Sequence, residues 1–287
     1  MSPLLLAFLA TPAATAADVP SFWGRESVAV AGWPTGLLST TIAEVRVPLH
    51  RSKSIVFQST SAGLGVQVQA APAFVVVGPR LSFAPIDVFE VNLKAARGWF
   101  FGNGLGLMPF DELNGTLSQS RADREAEGFG SQMWLLGVEP TVKAKVWKLV
   151  MFDSWTIDYL DIERPAGIDS PYTYEALRDL VITFEEVTFE HQAGVLFEAM
   201  PGGDKPSLRF GPTYRDRWAL NSKDRSAAVG VLVAAKPGVK PGIPTLVGLA
   251  LWYVVDNDRV GPIPFLAAQA RWEVDVPLGK RPIPDGP

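Results

Sequence analysis

AFVVVGPRLSFAPIDVFEVNLKAARGWFF, residues 73–101, is the stretch whose reading decides the fold. It divides into two arms joined at Ala84-Pro85-Ile86-Asp87, where proline cannot donate a ladder hydrogen bond and so belongs in a turn. In the second arm Phe89, Val91, Leu93 and Ala95 alternate with Glu90, Asn92 and Lys94. In the first, Val75, Val77, Leu81 and Phe83 alternate with Gly78, Arg80 and Ser82. A period of two sends the apolar set to one face of a sheet and the polar set to the other. Trp99, Phe100 and Phe101 end the hairpin before a long polar, Gly-rich segment. A short turn, a long loop and aromatics at the rim predict a hairpin of a transmembrane β-barrel.

The same unit recurs along the chain. Ala43, Val45, Val47 and Leu49 alternate with Glu44, Arg46, Pro48 and His50. Val138, Pro140, Val142 and Ala144 alternate with Glu139, Thr141, Lys143 and Lys145. Leu208, Phe210, Pro212 and Tyr214 stand against Arg209 and Arg215, and Leu266 to Val274 against Gln269, Arg271, Glu273 and Asp275. Between residues 227 and 255 two strands are apolar on both faces, with small residues at Gly230, Ala234, Gly248 and Ala250. Phase slips predict a bulge at Ser61-Ala62-Gly63 and a bulge or a shorter wall segment at Asp153. Gly102 to Gly128 and Glu163 to Leu180 read as long loops, the second with a short helix over Pro171 to Leu180 because Ser170-Pro171 has helix-start chemistry. The sum is an all-β, antiparallel, up-and-down transmembrane barrel of about 12 strands.

Composition agrees. Hydrophobic residues make up 47% of 287, mean hydropathy is +0.15, and the apolar residues are dispersed. No apolar run after residue 20 reaches the ~18 residues of a membrane helix. Net charge is −4, with no basic block to suggest nucleic acid. Without cysteine there is no disulfide, thiol nucleophile or cysteine metal site. Leu4 to Ala10 followed by Ala14-Thr15-Ala16 reads as an h-region and cleavage site. This divides the chain into a signal peptide (1–17), a barrel (18–276) and a Pro-rich tail (277–287).

On these strands the chain resembles Gram-negative outer-membrane β-barrel proteins over roughly residues 25 to 276. Its last strand is similar to the family's assembly signal, with Trp272 as the terminal aromatic, although the chain then continues into the tail. The resemblance implies export to the bacterial outer membrane, contact with its lipids and recognition by the barrel assembly machinery. Phe189 to Gly194 also resembles the His-x-Ser neighbourhood of barrel lipases and lipid A deacylases. Here Ala193 stands where those families have the serine nucleophile, two residues after His191. Asp256 to Gly261 falls short of a calcium loop, and Gly102, Gly104 and Gly106 of a dinucleotide fingerprint. No catalytic residue, metal or cofactor is assigned.

By parity, the lumen is lined by Glu44, Arg46, Arg80, Glu90, Asn92, Lys94, Glu139, Lys143, Lys145, Glu190, Arg209, Arg215, Arg271 and Glu273. Such a face predicts a passive channel or transporter for small solutes, and its mixed signs argue against strong charge selectivity. The alternative is a structural or surface-interaction barrel with a plugged lumen, and behind it a lipid-modifying enzyme using His191.

Overall fold

The structure, a computed structural model, describes residues 19–32, 35–49, 60–102, 107–113, 128–175, 178–200, 206–237, 243–256 and 264–278. The segment expected to be a signal peptide, His50 and most of the tail lie outside these residues. Twelve strands close into one barrel: β1 (Ser21–Gly32), β2 (Thr35–Pro48), β3 (Ser61–Ala71), β4 (Phe74–Ile86), β5 (Phe89–Phe101), β7 (Gly130–Val146), β8 (Leu149–Ile162), β11 (Glu185–Met200), β12 (Ser207–Ala219), β13 (Arg225–Lys236), β14 (Leu246–Asp256) and β15 (Pro264–Pro277). Neighbours are antiparallel, and the seam closes where β1 pairs with β15 from Ser21↔Pro277 to Ala31↔Ala267. Both ends of the barrel chain therefore lie at one rim, here called the turn end. Closure removes every free sheet edge, the condition for crossing lipid with strands.

The wall alternates as its sequence requires. On β14 Val247, Leu249, Leu251, Tyr253 and Val255 are exposed, while Leu246, Ala250, Trp252 and Val254 are buried. The same outward set recurs as Val45 and Val47, Leu64 and Val66, Leu81 and Phe83, and Val229, Val231 and Val233. A continuous apolar exterior around a polar interior is the architecture of a transmembrane up-and-down barrel.

Several local expectations are corrected. The joint of the deciding hairpin is Asp87–Val88, and Pro85 lies in a register shift between Phe83 and Ile86. No shift occurs at Ser61 to Gly63, where β3 pairs regularly with β2 and β4. Nor does one occur at Asp153: β8 runs unbroken against β11, so Asp153 keeps the outward phase of Trp155. The first strand, Ser21–Gly32, is 12 residues long. The two-residue turn at 72–73 shares the rim of the long loops.

The largest correction concerns those long loops. β6 (Leu107–Phe110) arises in the first; β9 (Tyr172–Glu175) and β10 (Leu180–Thr183) arise in the second, replacing the expected helix. They pair in the order β10-β9-β6 as a separate three-stranded sheet. Leu107, Leu180 and Ile182 of this sheet, with Phe129 and Phe184, share one apolar cluster with Leu38, Phe74, Val76, Phe100, Met133, Leu135, Leu160 and Ile162. The latter are inward residues near the loop end of the barrel strands. The small sheet therefore sits in the barrel mouth as a plug, with Val181 and Ile182 fully buried.

Candidate lumen site

Every lumen-lining position expected from parity falls on the inner face, in phase with buried side chains of its strand. The structure shows what parity cannot, namely which of them meet. Lys94 Nζ lies 2.7 Å from Glu139 Oε1 and 3.0 Å from Asp158 Oδ1. It reaches both because Gly137 leaves the space between them empty; a Cβ there would lie 2.3 Å from both Lys94 Cε and Asp158 Oδ1. Asp158 also takes Arg178, from the plug, at 2.8 Å, and Arg178 donates to Glu175 at 3.0 Å. Burial works against charge on Arg178, but the carboxylates of Glu175 and Asp158 outweigh it and raise its pKa above the ordinary arginine value. Arg217 donates through Nε to Glu190 at 2.8 Å and through Nη1 to the carbonyl of Arg178 at 2.6 Å. One polar network thus joins the barrel wall to the plug.

Nearer the turn end, Glu198 takes Arg209 at 2.8 Å and also Lys145, Lys143 pairs with Glu90 at 3.4 Å, and Arg46 pairs with Glu44. Arg271 lies 3.4 Å from Glu273. Arg215 has a different partner: its guanidinium stands 5.2 Å from the ring centres of both Trp252 and Phe265. Those rings belong to an apolar sector formed by inward residues of β8, β11, β13, β14 and β15, including Phe152, Leu196, Leu232, Leu246 and Ala250. Trp252 is completely buried there. The double-sided apolarity of β13 and β14 has this cause: one face meets lipid and the other fills part of the lumen.

Between the plug and these walls remains a polar cavity of about 50 Å³, space for a few water molecules. Its lining includes Arg25, Arg80 and Arg271, Lys94 with Glu139 and Asp158, Arg178, Arg217, and the amides Gln67, Gln69 and Gln269. Sequence reading omitted Arg25, Asp158, Arg178 and Arg217. Arg25, Asp158 and Arg217 had a signal, since each is in phase with the inner face of its strand. Arg178 had none, because its role depends on where the loop folds back.

His191 is on the outer face. Its Nε2 lies 3.0 Å from Asp153 Oδ1, its ring stacks on Trp155 at 4.2 Å, and the edge of Tyr214 is 6.0 Å away. The adjacent hydroxyl, Ser154, is buried on the opposite face of β8. The pair is an imidazole and a carboxylate on an aromatic floor, without a nucleophile beside it in the described wall.

The fold and its walls define the class: a plugged transmembrane β-barrel. No protein-family model and no curated protein matches the sequence. Among solved structures, the β domain of the Bordetella autotransporter BrkA is similar at 10% identity, covering 89% of this chain and 99% of that one, with a TM-score of 0.41. An outer-membrane channel from Pseudomonas putida F1 matches at 10% identity over 92% and 100% of the two chains, TM-score 0.39. The translocator domain of the autotransporter NalP from Neisseria meningitidis does so at 13% over 90% and 88%, TM-score 0.38. The fold assignment rests on the strand pairing of this chain itself.

Proposed function

We propose that this protein is a gated, passive pathway for small solutes in the bacterial outer membrane, held shut at its loop end by its own plug. In this reading residues 1–17 direct export and are removed, and the terminal strand with Trp272 is what the assembly machinery engages. The observation that carries the proposal is the polar cavity left beneath the plug. A barrel braced permanently shut has no use for unfilled polar space, because buried polar groups cost free energy unless hydrogen-bonded. At the cavity the plug meets the wall through Arg178 on Asp158 and its carbonyl under Arg217, while β10 is tied at the loop rim through Val181 and Thr183 to Asp224, Ser222 and Glu186. The plug is a sheet separate from the barrel ladder, so opening at the cavity leaves that ladder intact.

A second reading has its own support. The apolar seal of Leu180, Ile182 and Phe184 against the mouth favours a plug that stays, with the loops as a surface-interaction platform. Planar bilayers separate the two. The wild-type protein is expected to give brief conductance steps, and Arg178→Ala to raise the open fraction several-fold. No steps from either protein at any voltage would remove the pathway reading and leave the platform.

A further inference from the structure

One wall of the cavity carries charge that bracing does not explain. Arg25 on β1, Arg80 on β4 and Arg271 on β15 all line it. Arg80 is 5% exposed, and its Nε has no hydrogen-bond partner among the described residues. Among the described residues, neither Arg25 nor Arg80 has a carboxylate within 4.0 Å. Arg25 lies within electrostatic reach of both Arg80 and Arg271. The carboxylates that act on it are Glu273, shared with Arg271 at 3.4 Å, and Glu90, shared with Lys143 at 3.4 Å. Register makes matters worse, since the residue paired with Arg80 on β5 is Lys94. The rest of this wall is neutral and rich in donors: Gln67 and Gln69 from β3, and Gln269 from β15. Arg25 and Arg80 share the charge of Glu90 with Lys143 and Arg46 and hold no carboxylate of their own within 4.0 Å among the described residues, so this wall has room for an anion from outside the chain. Their planar forks suit the paired oxygens of an oxyanion.

We propose that the cavity binds one small oxyanion, a phosphate or a carboxylate group, between Arg25, Arg80 and Arg271, with the three glutamines completing its donors. The cavity's size sets the limit to a group of a few heavy atoms. The anion supplies the charge this wall lacks, and in a gated pathway it is also the preferred cargo. Only that last step rests on the pathway reading; binding stands without it.

The test is calorimetric titration of the purified, detergent-solubilised protein with inorganic phosphate and, separately, with acetate. The expected result is saturable one-to-one binding of at least one of them, weakened by about tenfold or more in Arg80→Gln, as loss of a charged donor implies. Which of the two binds distinguishes a phosphate from a carboxylate source. Arg80→Lys, which keeps the charge but loses the fork, is expected to fall between, and serves as the second variant should Arg80→Gln fail to fold. No saturable binding of either anion, or equal binding by wild type and both variants, overturns the proposal. Reversal potentials in bilayers keep the two readings apart. Conductance without anion preference, in a protein that binds neither anion, sinks the site and spares the pathway. Binding without conductance spares the site and sinks the pathway.

Discussion

The two walls of the lumen cavity use the same residue type at similar burial for opposite ends. On the wall of β5, β7, β8, β11 and β12, Lys94 lies between Glu139 and Asp158, and Arg217, 1% exposed, holds Glu190 at 2.8 Å. On the wall of β1, β4 and β15, Arg80 is 5% exposed and faces no carboxylate within bonding reach among the described residues. Burial alone therefore does not decide whether a lumen arginine braces the barrel. What decides is the residue one strand over and one step along, the unit in which sheets are stabilised. Across from Lys94 that unit contains Gly137, which clears the way to Asp158; across from Arg80 it contains Gly65, but Glu44 beyond it turns to Arg46 and Ser82, and the other neighbour is the like-charged Lys94.

The comparison is broken most severely by removing the hub of the paired wall. Asp158→Ala leaves both Lys94 and Arg178 short of a counter-charge, and breaking a buried ion pair from one side costs about 3–5 kcal/mol. Denaturant unfolding in lipid vesicles, followed by tryptophan fluorescence, is expected to show that loss. Next comes Gly137→Ala, whose Cβ would meet Lys94 Cε and Asp158 Oδ1 at 2.3 Å. Displacing Lys94 is expected to cost about 1–3 kcal/mol in the same assay, as overpacking does. Arg80→Gln is expected to change stability by less than about 1 kcal/mol in an anion-free buffer, because no ion pair within 4.0 Å is broken and its register partner on β5 is the like-charged Lys94. A loss equal to that of Asp158→Ala would mean that both walls brace alike.

How much of this was legible in the sequence follows from the same logic. Strand alternation gave the barrel, its strand number and the inner face, because lipid on one side and charge on the other impose a period of two on every strand. The hidden inward row of β13 and β14 was not legible, since a strand apolar on both faces carries no period. The plug was missed because β9 and β10 are four residues each, too short to show alternation, and Ser170-Pro171 imitated a helix start. Asp153 read as a break in phase because a carboxylate on a lipid-facing wall contradicts the pattern. Its partner, His191, lies on another strand, and only register brings them together. Pairing was hidden throughout: Arg80 and Lys94 look equivalent in the alternating row, and only the carboxylates that β7 and β8 bring to Lys94 separate them.

The outer-wall pair offers the finest test of pairing as the deciding variable. Asp153 and His191 meet at 3.0 Å on the face that carries Trp155 and Tyr214, with the Asp153 side chain about half exposed. His191→Leu alone leaves Asp153 facing lipid without its partner, and is expected to cost about 1–3 kcal/mol, the penalty of a stranded polar group. Asp153→Leu with His191→Leu removes both and restores an apolar wall, so the double variant is expected within about 1 kcal/mol of wild type. The sign of the difference carries the argument: the second substitution should recover most of what the first loses. A double variant less stable than the single one would mean that the imidazole holds the wall through its stack on Trp155, and that mutual neutralisation of the pair is not what keeps two polar residues on a lipid-facing surface.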